Sequence, residues 1–199
     1  MLLVGLSGSL GSGKSTVGSA LAARGAAVID TDRVARDVLA PGHPGAQAVL
    51  EHFGPEVRGP DGSIDRQALA AIVFADPDQR VVLEAISHPL VHKEVSRRVA
   101  ELGDAVIVVE IPLLDAACRD QYGFDVVVLV EVQPDIALRR AVGRGMTEDD
   151  ARARMAAQPS AAQRRQVADR ILGNDGARAD LEGAVDELWD WLQAQGSHS

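Results

Sequence analysis

Residues Gly8 to Ser15 read Gly-Ser-Leu-Gly-Ser-Gly-Lys-Ser, which fits the pattern G-x-x-x-x-G-K-[ST] with an additional glycine at Gly11. The run follows Leu2-Leu3-Val4-Gly5-Leu6, an apolar stretch of strand length. It precedes Ser15 to Ala23, a helical segment with Val17, Ala20 and Leu21 on one side. Strand, glycine loop and helix in this order define a phosphate-binding loop, or P-loop. Its glycines let successive N–H groups point inward as an anion nest, and the helix N-terminus adds partial positive charge. Lys14, on a loop expected to be lined by solvent, reaches the β- and γ-phosphates, and the Ser15 hydroxyl joins a Mg²⁺ shell. The expected nucleotide-binding set is Gly8, Gly11, Ser12, Gly13, Lys14, Ser15 and Thr16. A site for a nucleoside triphosphate follows.

The rest of the chain supplies the sheet that such a loop needs. Ala26–Ile29 is a second short strand, ending in Asp30-Thr31-Asp32. Ala105–Ile111 and Val126–Val132 are continuous apolar runs, the first broken only by Glu110, and Ile171-Leu172 is a weak fifth candidate. Runs without polar alternation suit parallel strands covered on both faces. The expected architecture is α/β, a doubly wound parallel sheet with ligands at the carboxyl ends of the strands.

More than seventy residues without a clear strand separate the second strand from the third. They hold turn-rich stretches at Pro41–Gly45 and Gly54–Gly62, and helical segments at Arg66–Phe74 and Asp78–Ile86. That exceeds what a connection needs, so the segment is expected to bind substrate. A second insertion, Arg144–Arg165, is rich in arginine, with a helix starting at Thr147 and a weak capping box to Asp150. The C-terminal helix carries Leu181, Val185, Leu188 and Leu192 as a docking stripe, with Trp189 beside it.

Composition narrows the function. A net charge of −9 argues against broad nucleic-acid binding, and the single cysteine, Cys118, excludes an intramolecular disulfide and a cysteine metal cluster. The first residues lack a basic lead-in and their apolar run is short, so neither a signal peptide nor a membrane span is expected. The expectation is a cytoplasmic protein with no membrane association and no obligate protein partner.

Phosphoryl transfer needs charge neutralisation and an oriented acceptor. Asp32 follows the strand next in sequence to the loop, where a carboxylate takes a proton from an acceptor hydroxyl or helps to hold Mg²⁺. Asp30 shares its face if the strand continues. The alternative for Asp32 is an N-cap ahead of Arg33–Leu39. Glu110 fits the Mg²⁺-side acid of a Walker B element, but a solvent-facing carboxylate is slightly favoured. His88 and His92 have zinc-like spacing without an accompanying acid or cysteine, and Pro89 suggests a helix start; a substrate contact or a cap suits His88 better. Among the later arginines, Arg140 and Arg144 are four apart, on one expected helical face, and suit a triphosphate. The others include Arg152, Arg154, Arg164 and Arg165, some of them paired with Glu148, Asp149 and Asp150.

Taken in order, these elements resemble the dephospho-coenzyme A kinase family of P-loop kinases over nearly the whole chain. The resemblance rests on Gly5-Leu6-Ser7-Gly8 entering Gly11-Ser12-Gly13-Lys14-Ser15, on Val28-Ile29-Asp30-Thr31-Asp32 leading to Ala35-Arg36, and on His88-Pro89. It continues through Ile111-Pro112-Leu113-Leu114, Arg140 and Arg144, Arg152 to Gln158, and Ala168-Asp169 with Asn174 and Gly176. It implies a five-stranded parallel core (1–40, 100–143 and 166–199), a helical coenzyme A subdomain (41–99) and an arginine-bearing lid (144–165). It implies ATP with Mg²⁺, dephospho-coenzyme A as acceptor, Asp32 as base, Arg36 and His88 on the substrate, and Asn174 at the nucleotide. Ser9-Leu10, Ala116 and Ala137 depart from the family's usual residues. Gluconate, shikimate and nucleoside monophosphate kinases share the loop, but the long insertion with His88-Pro89 speaks against them. A guanine-nucleotide switch would carry Asn-Lys-x-Asp, which the chain lacks.

Overall fold

The computed structural model describes residues 1–103, 105–112 and 114–196. Leu113, part of the Pro112-Leu113-Leu114 run, therefore lies outside the described residues. Five parallel strands, β1 (Leu2–Gly8), β2 (Ala27–Asp30), β3 (Val106–Ile111), β4 (Val126–Glu131) and β5 (Arg170–Gly173), form one sheet in the order β2-β3-β1-β4-β5. The register pairs Leu6 with Glu110 on one side of β1 and with Val128 on the other. Every residue of β1 is buried, as expected of a central strand flanked on both sides.

Contact density divides the chain into two compact units, Met1–Asp30 with Glu101–Ser199, and Thr31–Ala100. In the first, the sheet is covered by α1 (Lys14–Ala23) and the C-terminal helix α10 (Arg178–Gly196). Alternation puts Leu2, Val4 and Leu6 with Val128 and Val130 on one sheet face, against Val17 and Leu21 of α1. The stripe Leu181, Val185, Leu188 and Leu192 closes that core, and Trp189 packs beside it. On the other face a Cβ at Gly5 would lie 2.9 Å from both Leu114 and Phe124, so these two side chains pack against bare backbone. The unit also holds α6 (Ala116–Tyr122), α7 (Pro134–Val142), α8 (Glu148–Ala156) and α9 (Ala161–Gln166).

The second unit is helical: α2 (Thr31–Val38), α3 (Pro44–Phe53), a 3₁₀ turn (Pro55–Val57), α4 (Arg66–Ala75) and most of α5 (Pro77–Leu102). It has its own core of Ala46, Val49, Phe53, Val57, Ile64 and Leu69. Asp65 caps α4 by accepting from the N–H groups of Gln67 and Ala68, each at 3.0 Å. The helix expected to begin at Pro89 instead begins at Pro77 and runs through it; the lost backbone bond and ring clash of an interior proline are outweighed here, with Val91 and Val95 buried in the turns beyond it. Among the described residues, no helix is long and apolar enough to cross a membrane.

Candidate active site

β1 ends at Gly8 and the chain enters the glycine loop at the carboxyl edge of the sheet. Gly11 and Gly13 have φ of 73° and 89°, a region that L side chains avoid. Space makes the same demand: a Cβ at Gly11 would sit 2.4 Å from the Ala137 carbonyl, and one at Gly13 would sit 2.3 Å from Nδ2 of Asn174. Gly13 is also the N-cap of α1, without a side chain to cap it. Among the described residues, the N–H groups of Gly11, Gly13, Lys14 and Ser15 have no protein acceptor. Such a cluster of donors, at the positive end of a helix, is an anion site.

Lys14 is not lined by solvent as expected. Its Nζ donates to a carboxylate oxygen of Glu110 at 2.9 Å, and the two side chains are only 13% and 6% exposed. Glu110 therefore does not face solvent either, which corrects the reading favoured from sequence. Gly18, one turn beyond Lys14, makes the pocket: a Cβ there would lie 2.0 Å from Oε1 of Glu110.

Two further side chains converge on the loop. Asn174, which follows β5, is buried, and its Nδ2 donates to the Ser12 carbonyl at 2.7 Å. Arg140, in α7, brings Nη1 to 4.0 Å from a Cβ built on Gly13. Among the described residues, that nitrogen and the Ser12 hydroxyl are buried without a hydrogen-bond partner. Leaving a buried donor unmet costs about 1–3 kcal/mol, more when it is charged, so the guanidinium marks a place for an anion. Arg144 is exposed and lies beyond α7, which ends at Val142. The two arginines therefore do not share a helical face.

The residues expected on the acceptor side lie in the helical unit. β2 stops at Asp30 and α2 begins at Thr31, so Asp30 and Asp32 do not share a strand face. Asp32 sits inside the first turn of α2, not at the N-cap, and is exposed. Its carbonyl accepts from Nε of Arg36 at 3.1 Å. His88 is exposed on α5. A cavity of about 340 Å³ in the same unit is lined by Pro41, His43, Gln47, Leu50 and Arg58, among others, and by none of Asp32, Arg36 or His88.

The arginine-rich insertion is two helices. Thr147 caps α8 through the Asp150 N–H at 3.2 Å. The complete capping box stands elsewhere, between Ser160 and Gln163 at the start of α9. Arg152 pairs with Glu148, while Arg165 grips both oxygens of Glu131 at the end of β4. Sequence reasoning missed the Glu131 contact and that of Gln158, whose side-chain oxygen accepts from the Leu10 N–H at 3.1 Å. Both join residues far apart in the chain, and spacing carries no signal of such pairs.

A glycine loop with its lysine and open helix N-terminus, at the edge of a parallel β2-β3-β1-β4-β5 sheet, defines a P-loop kinase fold. The model of the family described as Dephospho-CoA kinase matches residues 2–180. The dephospho-CoA kinase of Frankia casuarinae is 49% identical over 196 residues, covering 98% of this chain and 85% of the relative. That of Streptomyces avermitilis is also 49% identical, covering 95% and 93%. The crystal structure of TT1252 from Thermus thermophilus superposes with a TM-score of 0.79 at 32% identity, covering 96% of this chain and 97% of that one. The chain belongs to the dephospho-CoA kinase family, which phosphorylates dephospho-CoA with ATP in the final step of coenzyme A biosynthesis.

Proposed function

We propose that this reaction is carried by Lys14 and Arg140 at the phosphate loop and by Asp32 of the helical unit, with Arg144 closing from the lid. The observation that carries the reading is the buried, unpartnered Nη1 of Arg140 facing a loop whose amides are also open. The loop amides of Gly11 to Ser15 take the β- and γ-phosphates of ATP. Lys14 and Arg140 then neutralise charge as it spreads over the transferring group. Gly8 and Ser12 shape the loop, Thr16 and Asn174 complete the nucleotide contacts, and Arg36 and His88 hold the acceptor. The ribose 3′-hydroxyl of dephospho-CoA attacks the γ-phosphorus and the bond to the ADP oxygen breaks. The hydroxyl proton passes to the Asp32 carboxylate.

Mg²⁺ keeps most of its waters and takes one or two protein ligands beside substrate phosphates. The donor set fits that habit: Ser15 stands exposed at the first turn of α1 and Asp32 exposed at the first turn of α2, one hydroxyl and one carboxylate open to a hydrated ion. Ser15 and Asp32 would hold the ion, which when bound neutralises phosphate charge. The insertion 41–99 is read as the acceptor wall and 144–165 as the lid.

Asp32→Asn is the clean test, because Asp32 is exposed and is not a cap. Turnover should fall about a hundred- to ten-thousandfold with the melting temperature nearly unchanged. Normal turnover in a coupled ADP-release assay would remove Asp32 from the mechanism. Lys14→Ala should lose at least about a hundredfold. It should also lose stability, on the order of 3 kcal/mol, because the largely buried ion pair between Lys14 and Glu110 is broken.

A further inference from the structure

Leu10, the third residue of the phosphate loop, donates its N–H to Oε1 of Gln158 at 3.1 Å, across 148 positions of sequence. The other loop amides behave differently. The Ser12 N–H turns back to the Ser9 carbonyl at 3.0 Å, whereas those of Gly11, Gly13, Lys14 and Ser15 stay open for phosphate. A side chain from the arginine-rich insertion thus serves an amide of the loop that holds the nucleotide.

Gln158 is itself held in place. It stands between α8 and α9, and its N–H donates to the Met155 carbonyl at 3.3 Å. Nη1 of Arg164 donates to the carbonyl of the next residue, Pro159. The Ser160–Gln163 capping box fixes the start of α9, and Arg165 ties that helix to Glu131 at the end of β4. The amide of Gln158 is therefore delivered by an ordered turn whose far side is anchored to the sheet.

We propose that Gln158 is a positioning residue that couples the lid to the phosphate loop. The proposal rests on reading 144–165 as a lid. Displacing the turn withdraws the acceptor from the part-buried Leu10 N–H, so the open lid and the ordered loop disfavour each other. By linkage, a nucleotide that orders the loop favours the closed lid, and the closed lid favours the ordered loop. The Gln158 side chain is hydrogen-bonded to loop backbone and acts through it.

The test uses Gln158→Met, which keeps length and loses the acceptor, and Gln158→Asn, which falls short by one methylene. In wild type, amide exchange of α8 should slow when a non-hydrolysable ATP analogue and dephospho-CoA are bound; no change there would overturn the lid reading itself. In either variant without ligands, exchange at Leu10 and across Glu148–Ala156 should quicken together. The turnover number should fall about tenfold while affinity for the ATP analogue changes less than about threefold, since the open amides, Lys14 and Arg140 are untouched. Gln158→Glu retains an acceptor oxygen and should restore wild-type exchange in α8 of the free protein, even though its charge weakens ATP binding. Faster exchange at Leu10 with α8 unchanged overturns the coupling. So does wild-type turnover in a folded variant, or a Gln158→Glu protein whose α8 exchanges as fast as that of Gln158→Met.

Discussion

Gly18 is the residue at which helix physics and site chemistry oppose each other most directly. Replacing an interior helical glycine by alanine ordinarily stabilises by about 1 kcal/mol. Here the added methyl would meet Oε1 of Glu110 at 2.0 Å, so the carboxylate must shift and its 2.9 Å contact with Lys14, made through the other oxygen, is disturbed. Gly18→Ala should therefore lower the melting temperature instead of raising it, and reduce kcat/KM about tenfold, in keeping with an overpacking cost of roughly 1–3 kcal/mol. A thermal melt with steady-state kinetics checks both, and a stabilised, fully active variant would show that the Glu110 carboxylate has no positioning role. Sequence marks Glu110 as an acid in an apolar strand but does not say which way it points. Its direction follows from the register of β3 beside β1 and from a glycine in a separate helix. The place of Lys14 at the head of α1 was legible for the opposite reason, because loop and helix are continuous in the chain.

Among the elements, α5 departs most from its local signals. Pro89 reads as a boundary, yet the helix continues from Pro77 to Leu102. The side chains beyond the proline help to explain why. Glu94 accepts from Arg97 and Arg98 on its own helix, and Arg98 also reaches Asp37 of α2 at 2.9 Å. These guanidinium contacts, Arg97 first and then Arg98, hold the Glu94 carboxyl down at about 2, against 4.5 in its ordinary setting. A depressed carboxylate contributes stability above its unfolded pKa and loses it as the pH falls toward the folded one. Wild type should therefore lose melting temperature between about pH 4.5 and pH 2 more steeply than Glu94→Gln. Parallel acid branches in thermal melts would mean that the Glu94 cluster contributes nothing to stability. Intervals of three and four residues make Glu94 with Arg97 and Arg98 visible in sequence, whereas the link to Asp37 spans 61 positions and is not.

For the whole molecule, the apolar runs and the glycine loop were enough to predict a parallel sheet, because buried central strands leave an unmistakable composition, whereas the fifth strand, with one buried residue in four, was a weak signal that the family resemblance completed. Strand order was less accessible, since β3 enters between β1 and β2 only after a long helical excursion. That excursion has its own buried core around Val49, Phe53 and Val57, so it is a folded unit and not a slack connection. A structure of this size suits an acceptor with much to hold besides its reacting hydroxyl. If the helical insertion grips the pantetheine arm of dephospho-CoA, binding energy from the arm positions the ribose for attack. Truncated acceptors should then lose kcat as well as affinity, with AMP and adenosine at least about a hundredfold below dephospho-CoA in kcat/KM. ADP release measured in parallel for the three acceptors gives the answer. If AMP turns over as fast as dephospho-CoA at saturation, the arm contributes only affinity and the insertion does not position the acceptor. A fall in kcat with each truncation would locate that work in the part of the substrate farthest from the transferred phosphate.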